Sequence, residues 1–253
     1  MDGDATPALL HAAGHPLRWR LLRALAAGDQ PVHALTAAVG ASQNLVSYHL
    51  GQLRRAQLVT TRRSNADARD TFYRLDLAHY GAMLAESGGA LHSALRLVPP
   101  PLPRPPRRRR RARVLFLCTG NSSRSQMAEA LLRERCAGSV TAKSAGSQPK
   151  PVHPLAIAVM TEYGIDLSRA RSKHLDRFTD EAVPFDVVIS LCDKVREVCP
   201  EFPGQPRVVH WSTPDPALDP DGYPAFQRVA ADLDDRISFL RYELAARDPG
   251  EAP

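Results

Sequence analysis

Cysteine is missing from the first 117 residues; all four cysteines, Cys118, Cys136, Cys192 and Cys199, lie beyond them. That absence excludes a thiolate metal or metalloid site from the front of the chain. The histidines there (His11, His15, His33, His49, His79 and His92) show no ligand spacing, so no metal site is expected. Long apolar runs are also lacking. No stretch approaches the roughly 20 residues a membrane helix needs, so neither a transmembrane segment nor a membrane partner is expected. The opening MDGDATPALL has no basic n-region, which argues against a secretory signal. A cytoplasmic protein with reduced, reactive or buried thiols is therefore expected, not a disulfide framework.

Charge is unevenly spread over the 253 residues. The net +6 divides into +3 for residues 1–98, seven arginines within 104–113, and −4 for 114–253. A mildly basic front half suits a nucleic-acid partner. The segment VPPPLPRPPRRRRRAR (98–113) reads as an extended linker, because proline removes backbone donors and like charges repel. Its arginines serve either as a solvated spacer or as a strap that touches DNA phosphates.

Before the linker, Leu17, Leu21, Leu22 and Leu25 form a helical stripe closed by Gly28. PVHALTAAVG reads as a short helix stopped by Gly40. Ser42 is placed to cap SQNLVSYHLGQLRRAQ, with Leu45, Val46, His49, Leu50 and Leu53 at helical spacings. LVTTRR and TFYRLDL read as a hairpin, and a last helix over roughly 76–96 is weakened by Gly88 and Gly89. After the linker, strands VLFLC, TAKSAG, FDVVISL and RVVHW alternate with helices SQMAEALLRERC, 154–163 and AFQRVAADLDDRISFLRYELAA. That alternation predicts a four-stranded parallel sheet flanked by helices.

CTGNSSRS (118–125) carries the strongest chemical signal. A cysteine leaves an apolar strand, five residues follow, and an arginine opens a helix. Backbone N–H groups of Thr119, Gly120, Asn121, Ser122, Ser123 and Ser125 can form an anion nest, reinforced by the helix N-terminus. Arg124 supplies a bidentate fork for a tetrahedral oxyanion. The same influences favour a thiolate, which suits Cys118 as a nucleophile. Gly120 and Asn121 tolerate the left-handed backbone of a tight loop.

VLFLCTGNSSRSQMAEALL resembles the opening of the low-molecular-weight protein tyrosine phosphatases, and more closely the arsenate reductases sharing that fold. The likeness continues through SAGS, GIDLSRARSKHL, LCDKVREVCPEFPG, HWSTPDPA and FQRVAADL. It implies Cys118 as nucleophile, Arg124 as oxyanion clamp and Asp215 as general acid; Asp219 begins a second Asp-Pro. Phosphatases of this fold tend to place aromatics after the Asp-Pro, where this chain has Ala217 and Leu218. The reductase resemblance gives Cys192 and Cys199 work: arsenate reduction through Cys118, Cys192 and Cys199 in turn, with reduced thioredoxin or an equivalent thiol donor and no tightly bound cofactor. Seven helical residues span about 10.5 Å, against the roughly 4.4–6.8 Å between Cα atoms in a disulfide. A marginal, exposed element at 192–200, limited by Pro200 and Pro203, is therefore expected. Cys136 has no partner in the motif and is assigned to packing.

Residues 14–76 resemble the ArsR-type winged helix-turn-helix regulators. The likeness implies double-stranded DNA as partner, with Gln43, Asn44, Ser47 and Tyr48 reading bases and His49 either nearby or in the core. Arg62, Arg63 and Arg69 on the wing would contact phosphate, or simply solvate a hairpin edge. It also implies a homodimer through this domain. The expected organisation is a mainly helical winged helix-turn-helix with a β-hairpin wing (1–97), a linker (98–112), an α/β phosphatase-like domain (113–247) and a disordered tail (248–253). Alternatives kept open are a phosphatase, and a regulator whose rear domain only senses oxyanion or redox state.

Overall fold

The structure, a computed structural model, describes residues 6–67, 69–96, 111–179, 183–197 and 200–246. Two compact units divide the chain, Met1–Pro101 and Leu102–Pro253. Most of the expected linker (98–110) and the expected disordered tail lie outside the described residues.

The front unit runs α1 (Ala8–Ala13), α2 (Pro16–Ala26), β1 (Gln30–Pro31), α3 (Val32–Val39), α4 (Gln43–Arg55), β2 (Val59–Arg63), β3 (Thr71–Leu75) and α5 (Leu77–Leu91). Pro16 at the first turn of α2 lacks an N–H that the helix could not use, and His15 Nδ1 accepts the Leu17 N–H at 3.1 Å. α3 ends at Gly40, whose φ of 59° is the left-handed conformation open to glycine. Ser42 holds the cap position of α4, but its side chain makes no capping bond, contrary to expectation. The α4 stripe is also narrower than its spacing implied. Val46, His49, Leu50 and Leu53 are buried, whereas Leu45 is exposed.

In the hairpin, Thr61 pairs with Tyr73 and Arg63 with Thr71; β1 adds a third antiparallel strand through Pro31 and Phe72. β1 has two residues and α1 six, too few for either to show a periodicity in the sequence. The last helix stops at Leu91 rather than 96 because the chain folds back over it. A Cβ on Gly88 would stand 2.1 Å from the Leu95 carbonyl oxygen. Leu21, Leu35, Val46, Leu50, Leu53 and Leu58 form the centre of this unit's core.

The rear unit runs β4 (Ala112–Cys118), α6 (Arg124–Arg135), β5 (Val140–Gly146), α7 (Pro154–Glu162), β6 (Val187–Ser190), α8 (Asp193–Glu197), β7 (Arg207–His210) and α9 (Tyr223–Ala246). Its four strands are all parallel, in the order β5-β4-β6-β7. Ala112 and Arg113, assigned above to the linker region, already pair with Val140 and Thr141. Arg113 is held there because its N–H donates to Asp186 Oδ2 at 2.7 Å and its guanidinium lies over the Phe185 ring.

Both faces of the sheet are covered, which explains the unbroken apolar runs of β4 and β6. Val114, Leu115, Phe116 and Leu117 are fully buried, each contributing about 1.5–3 kcal/mol of transfer free energy. α9 packs on α6 and α7. β5 and β6 flank β4 on opposite sides, so connections diverge at the carboxyl end of β4. A crevice at such a reversal is where open parallel sheets bind ligands, and Cys118 stands there.

Candidate active site and nucleic-acid interface

The turn after β4 folds around the Cys118 sulfur. The Asn121 N–H donates to Cys118 Sγ at 3.2 Å, and Ser125 Oγ lies 2.9 Å from it. Asn121, at φ 44°, takes the left-handed conformation; Gly120 does not. The asparagine is fixed from every side. Its Nδ2 donates to Ser125 Oγ and Ser144 Oγ at 2.9 Å each, and its Oδ1 accepts from the Lys173 N–H at 2.8 Å. Behind it, Ser144 donates to Glu129 at 2.6 Å, and Lys173 Nζ pairs with the same carboxylate at 3.1 Å. β5 must come close for these bonds to form. A Cβ on Gly146 would meet the Thr119 carbonyl oxygen at 2.5 Å, so SAGS needs its glycine.

Arg124 begins α6 and is buried, its side chain only 5% exposed. One terminal nitrogen donates to the Thr213 carbonyl at 3.1 Å and the other to Asp215 Oδ2 at 2.8 Å. Its Nε is buried with no hydrogen-bond partner among the described residues. A buried guanidinium N–H without a protein acceptor is costly unless something else accepts it. The loop N–H groups, this donor and the helix N-terminus together form a cradle able to hold a tetrahedral oxyanion.

The structure separates the two Asp-Pro sites. Asp215 reaches Arg124 and also caps the following turn through the Ala217 N–H. Asp219 instead pairs with Arg228 at 3.1 Å and accepts the Asp221 N–H. Leu218 is exposed, and no aromatic residue stands in the short turn Pro216–Leu218.

Cys192 is buried, and its sulfur lies 3.2 Å from Thr119 Oγ1, on the residue next to Cys118. Cys199 lies outside the described residues. The element at 192–200 was expected to be exposed, yet Cys192, Asp193 and Val195 are all buried, because the chain leaving β6 packs against the ends of β4 and β6. α8 has only five residues. Cys136 packs against the core, and burial pushes its thiol up from the ordinary value. Sequence reasoning passed over Glu129, Ser144, Lys173, Asp193 and His210.

In the front unit, α4 presents Gln43, Asn44, Ser47 and Tyr48 on its exposed side. His49 is not with them. It is 5% exposed and packs on His15, ring centroids 4.3 Å apart, with its buried Nδ1 lacking a hydrogen-bond partner among the described residues. The wing carries Arg62 and Arg63 on β2, where Arg62 bonds the Asn65 side chain. Arg69 pairs with Asp67 at 2.9 Å. Among the described residues no group of three His, Cys, Asp or Glu could hold a metal, and no helix is long and apolar enough to cross a membrane.

Burial, then the positive fields of His15 and Arg18, hold His49 below its ordinary 6.5. The unfolded chain therefore binds its proton more readily than the folded one, so stability rises with pH below about 6.5. Between pH 7.5 and 5.5 the front unit should lose stability, and His49→Gln should flatten that loss. Denaturant titrations of the two proteins at several pH values check this; equal slopes for both would refute it.

A cysteine–arginine oxyanion loop between a central parallel strand and a helix N-terminus is the arrangement of the cysteine-dependent phosphatases. Residues 113–248 match the family described as low molecular weight phosphotyrosine protein phosphatase, and the chain belongs to that family. Residues 15–61 match the bacterial regulatory protein, arsR family. An arsenate reductase of Brevibacillus brevis is 40% identical over 124 residues, 49% of this chain and 90% of that protein. A glutaredoxin arsenate reductase of Synechocystis is 38% identical over 128 residues, 51% of this chain and 95% of that protein. A solved arsenate reductase in the oxidized state shares 35% identity, covers 52% of this chain and 98% of its own, and superposes with a TM-score of 0.47.

Proposed function

We propose that the rear unit is an arsenate reductase working by a three-cysteine relay, tethered to a front unit that binds double-stranded DNA as a regulator of the arsenic response. The observation carrying the reaction is Cys192 held against Thr119 at the mouth of a loop that cradles Cys118. A hydrolytic enzyme has no use for a second thiol there; a reductase without a bound cofactor needs one, since two electrons must come from sulfur. The names of the relatives agree with this reading.

Cys118 attacks the arsenic, with Arg124 and the loop amides holding the oxyanion while Asp215 protonates the departing oxygen. Cys192 then attacks Cys118 Sγ. The electron pair of the sulfur–arsenic bond passes to arsenic, arsenite leaves, and a Cys118–Cys192 disulfide remains. Cys199 attacks Cys192, frees Cys118 as thiolate and leaves Cys192–Cys199, which a thioredoxin-like dithiol reduces, as the cytoplasm permits.

DNA contact is assigned to Gln43, Asn44, Ser47 and Tyr48, with Arg62, Arg63 and Arg69 toward phosphate. A homodimer through the front unit is supported by an apolar groove lined by Leu9, Leu10, Pro16, Trp19, Tyr80 and Leu84. Along α5, a largely apolar helix, only Ser87 is buried.

The deciding experiment is arsenate-dependent NADPH oxidation coupled through thioredoxin and its reductase. Cys192→Ser and Cys199→Ser should each abolish multiple turnover while leaving aryl phosphate hydrolysis within about threefold, since neither thiol takes part in general acid–base chemistry. Aryl phosphate turnover without any arsenate turnover in the parent protein would instead assign a phosphatase, the reading favoured by the shared Cys118, Arg124 and Asp215 geometry.

A further inference from the structure

The end of β6 and the end of β7 are joined by hydrogen-bonded, buried side chains. Asp193, the first residue of α8 and directly after Cys192, is 2% exposed. Its Oδ1 accepts from His210 Nε2 at 3.0 Å and from Ser212 Oγ at 2.9 Å. A carboxylate only accepts, so His210 Nε2 donates to it, and His210 Nδ1 lies 2.8 Å from Ser190 Oγ. Ser190 and Asp193 flank Leu191 and Cys192. His210 and Ser212 lie on the segment leading to Thr213, whose carbonyl holds Arg124. Backbone bonds run alongside, from Trp211 N–H to the Ser190 carbonyl and from Thr213 N–H to the Leu191 carbonyl.

The relay makes two demands on Cys192: its thiolate must be held where it can reach the Cys118 sulfur, and its own sulfur must later accept attack by Cys199. We propose that Asp193, held by His210 and Ser212, is a positioning residue that fixes the chain at Cys192. It keeps the Cys192 sulfur beside Thr119, the residue next to Cys118. This inference rests on the relay reading. Its chemical content is narrower: Asp193 sets the rate at which Cys192 closes onto an electrophilic sulfur at Cys118, by accepting two hydrogen bonds and not through its charge.

The test uses the full chain carrying Cys199→Ser, which stops at the first disulfide. Hydrogen peroxide oxidises the Cys118 thiolate to the sulfenic acid with release of hydroxide. Cys192 thiolate then displaces hydroxide to form Cys118–Cys192. Closure is followed by non-reducing peptide mass, and sulfenic acid formation by dimedone trapping. Asp193→Ala should slow closure about tenfold with sulfenic acid formation unchanged, the scale expected for a misplaced reacting group. Asp193→Asn keeps an accepting Oδ1 and should close within about threefold of the parent.

Closure of Asp193→Ala at the parent rate overturns the proposal, as does Asp193→Asn closing as slowly as the alanine variant. Should alanine at 193 prevent folding, Ser212→Ala removes one of the two bonds and should still slow closure measurably; the parent rate there overturns it equally. Because peroxide drives the step, the result does not depend on arsenate. Slowed closure here, together with no arsenate turnover in the parent protein, would sink the reductase reading and keep the positioning role.

Discussion

Serine at position 118 is expected to abolish both arsenate reduction and aryl phosphate hydrolysis, lowering kcat by about 10⁴-fold or more. The sulfur sits inside the loop with the Asn121 N–H and Ser125 hydroxyl turned toward it. Those groups are arranged for an anion, and among the described residues no carboxylate or imidazole is hydrogen-bonded to the Cys118 sulfur to act as a base for a hydroxyl in its place. The exchange removes little volume from a site held by Asn121, Ser144 and Glu129, so the cradle itself should persist. Phosphate should still raise the melting temperature of Cys118→Ser by binding the folded state. Loss of turnover with retained phosphate stabilisation assigns the thiol to chemistry. Turnover surviving the change would remove Cys118 from the reaction, and loss of both would mean the loop had collapsed.

Replacing Arg124 should cost nearly as much. Lysine at this position is a point charge that cannot bond Thr213, Asp215 and a substrate oxygen together, and kcat/KM should fall about 10²–10³-fold. Alanine there adds a folding penalty. The Asp215 side chain is 26% exposed and loses the partner that compensated it, an effect of about 1–3 kcal/mol because water reaches it only in part. Denaturant unfolding alongside kinetics separates the two consequences. Arg124→Lys should keep most of the stability and lose most of the activity. An active lysine variant would show that charge alone, without the planar fork, suffices.

Much of this was open to reading from the residues. The strand–loop–helix around CTGNSSRS, the alternation of apolar strands with helices and the helix closed at Gly40 follow from local rules of periodicity and backbone preference. The missing cysteines ahead of position 118 exclude a thiolate site made from the front unit's own residues. Local rules erred where distant segments intervened. Leu45 lies at a helical spacing yet faces outward, and His49 was placed between a groove and the core until its stacking on His15 decided for the core. The last front helix ended early because Gly88 lets the chain return across it. Arg113 entered a strand because Asp186, far along the sequence, accepts its N–H.

The sequence by itself thus determined the two kinds of domain, the oxyanion loop and the supply of thiols. These depend on residue type and short spacing, which one chain displays directly. Only the tertiary structure decided which Asp-Pro meets Arg124, that Cys192 is buried beside Thr119, and that Asp193 is clasped by His210 and Ser212. Each of these joins residues 17 or more positions apart through directional hydrogen bonds. Such bonds exist only after a parallel sheet has brought the carboxyl ends of its strands to one edge.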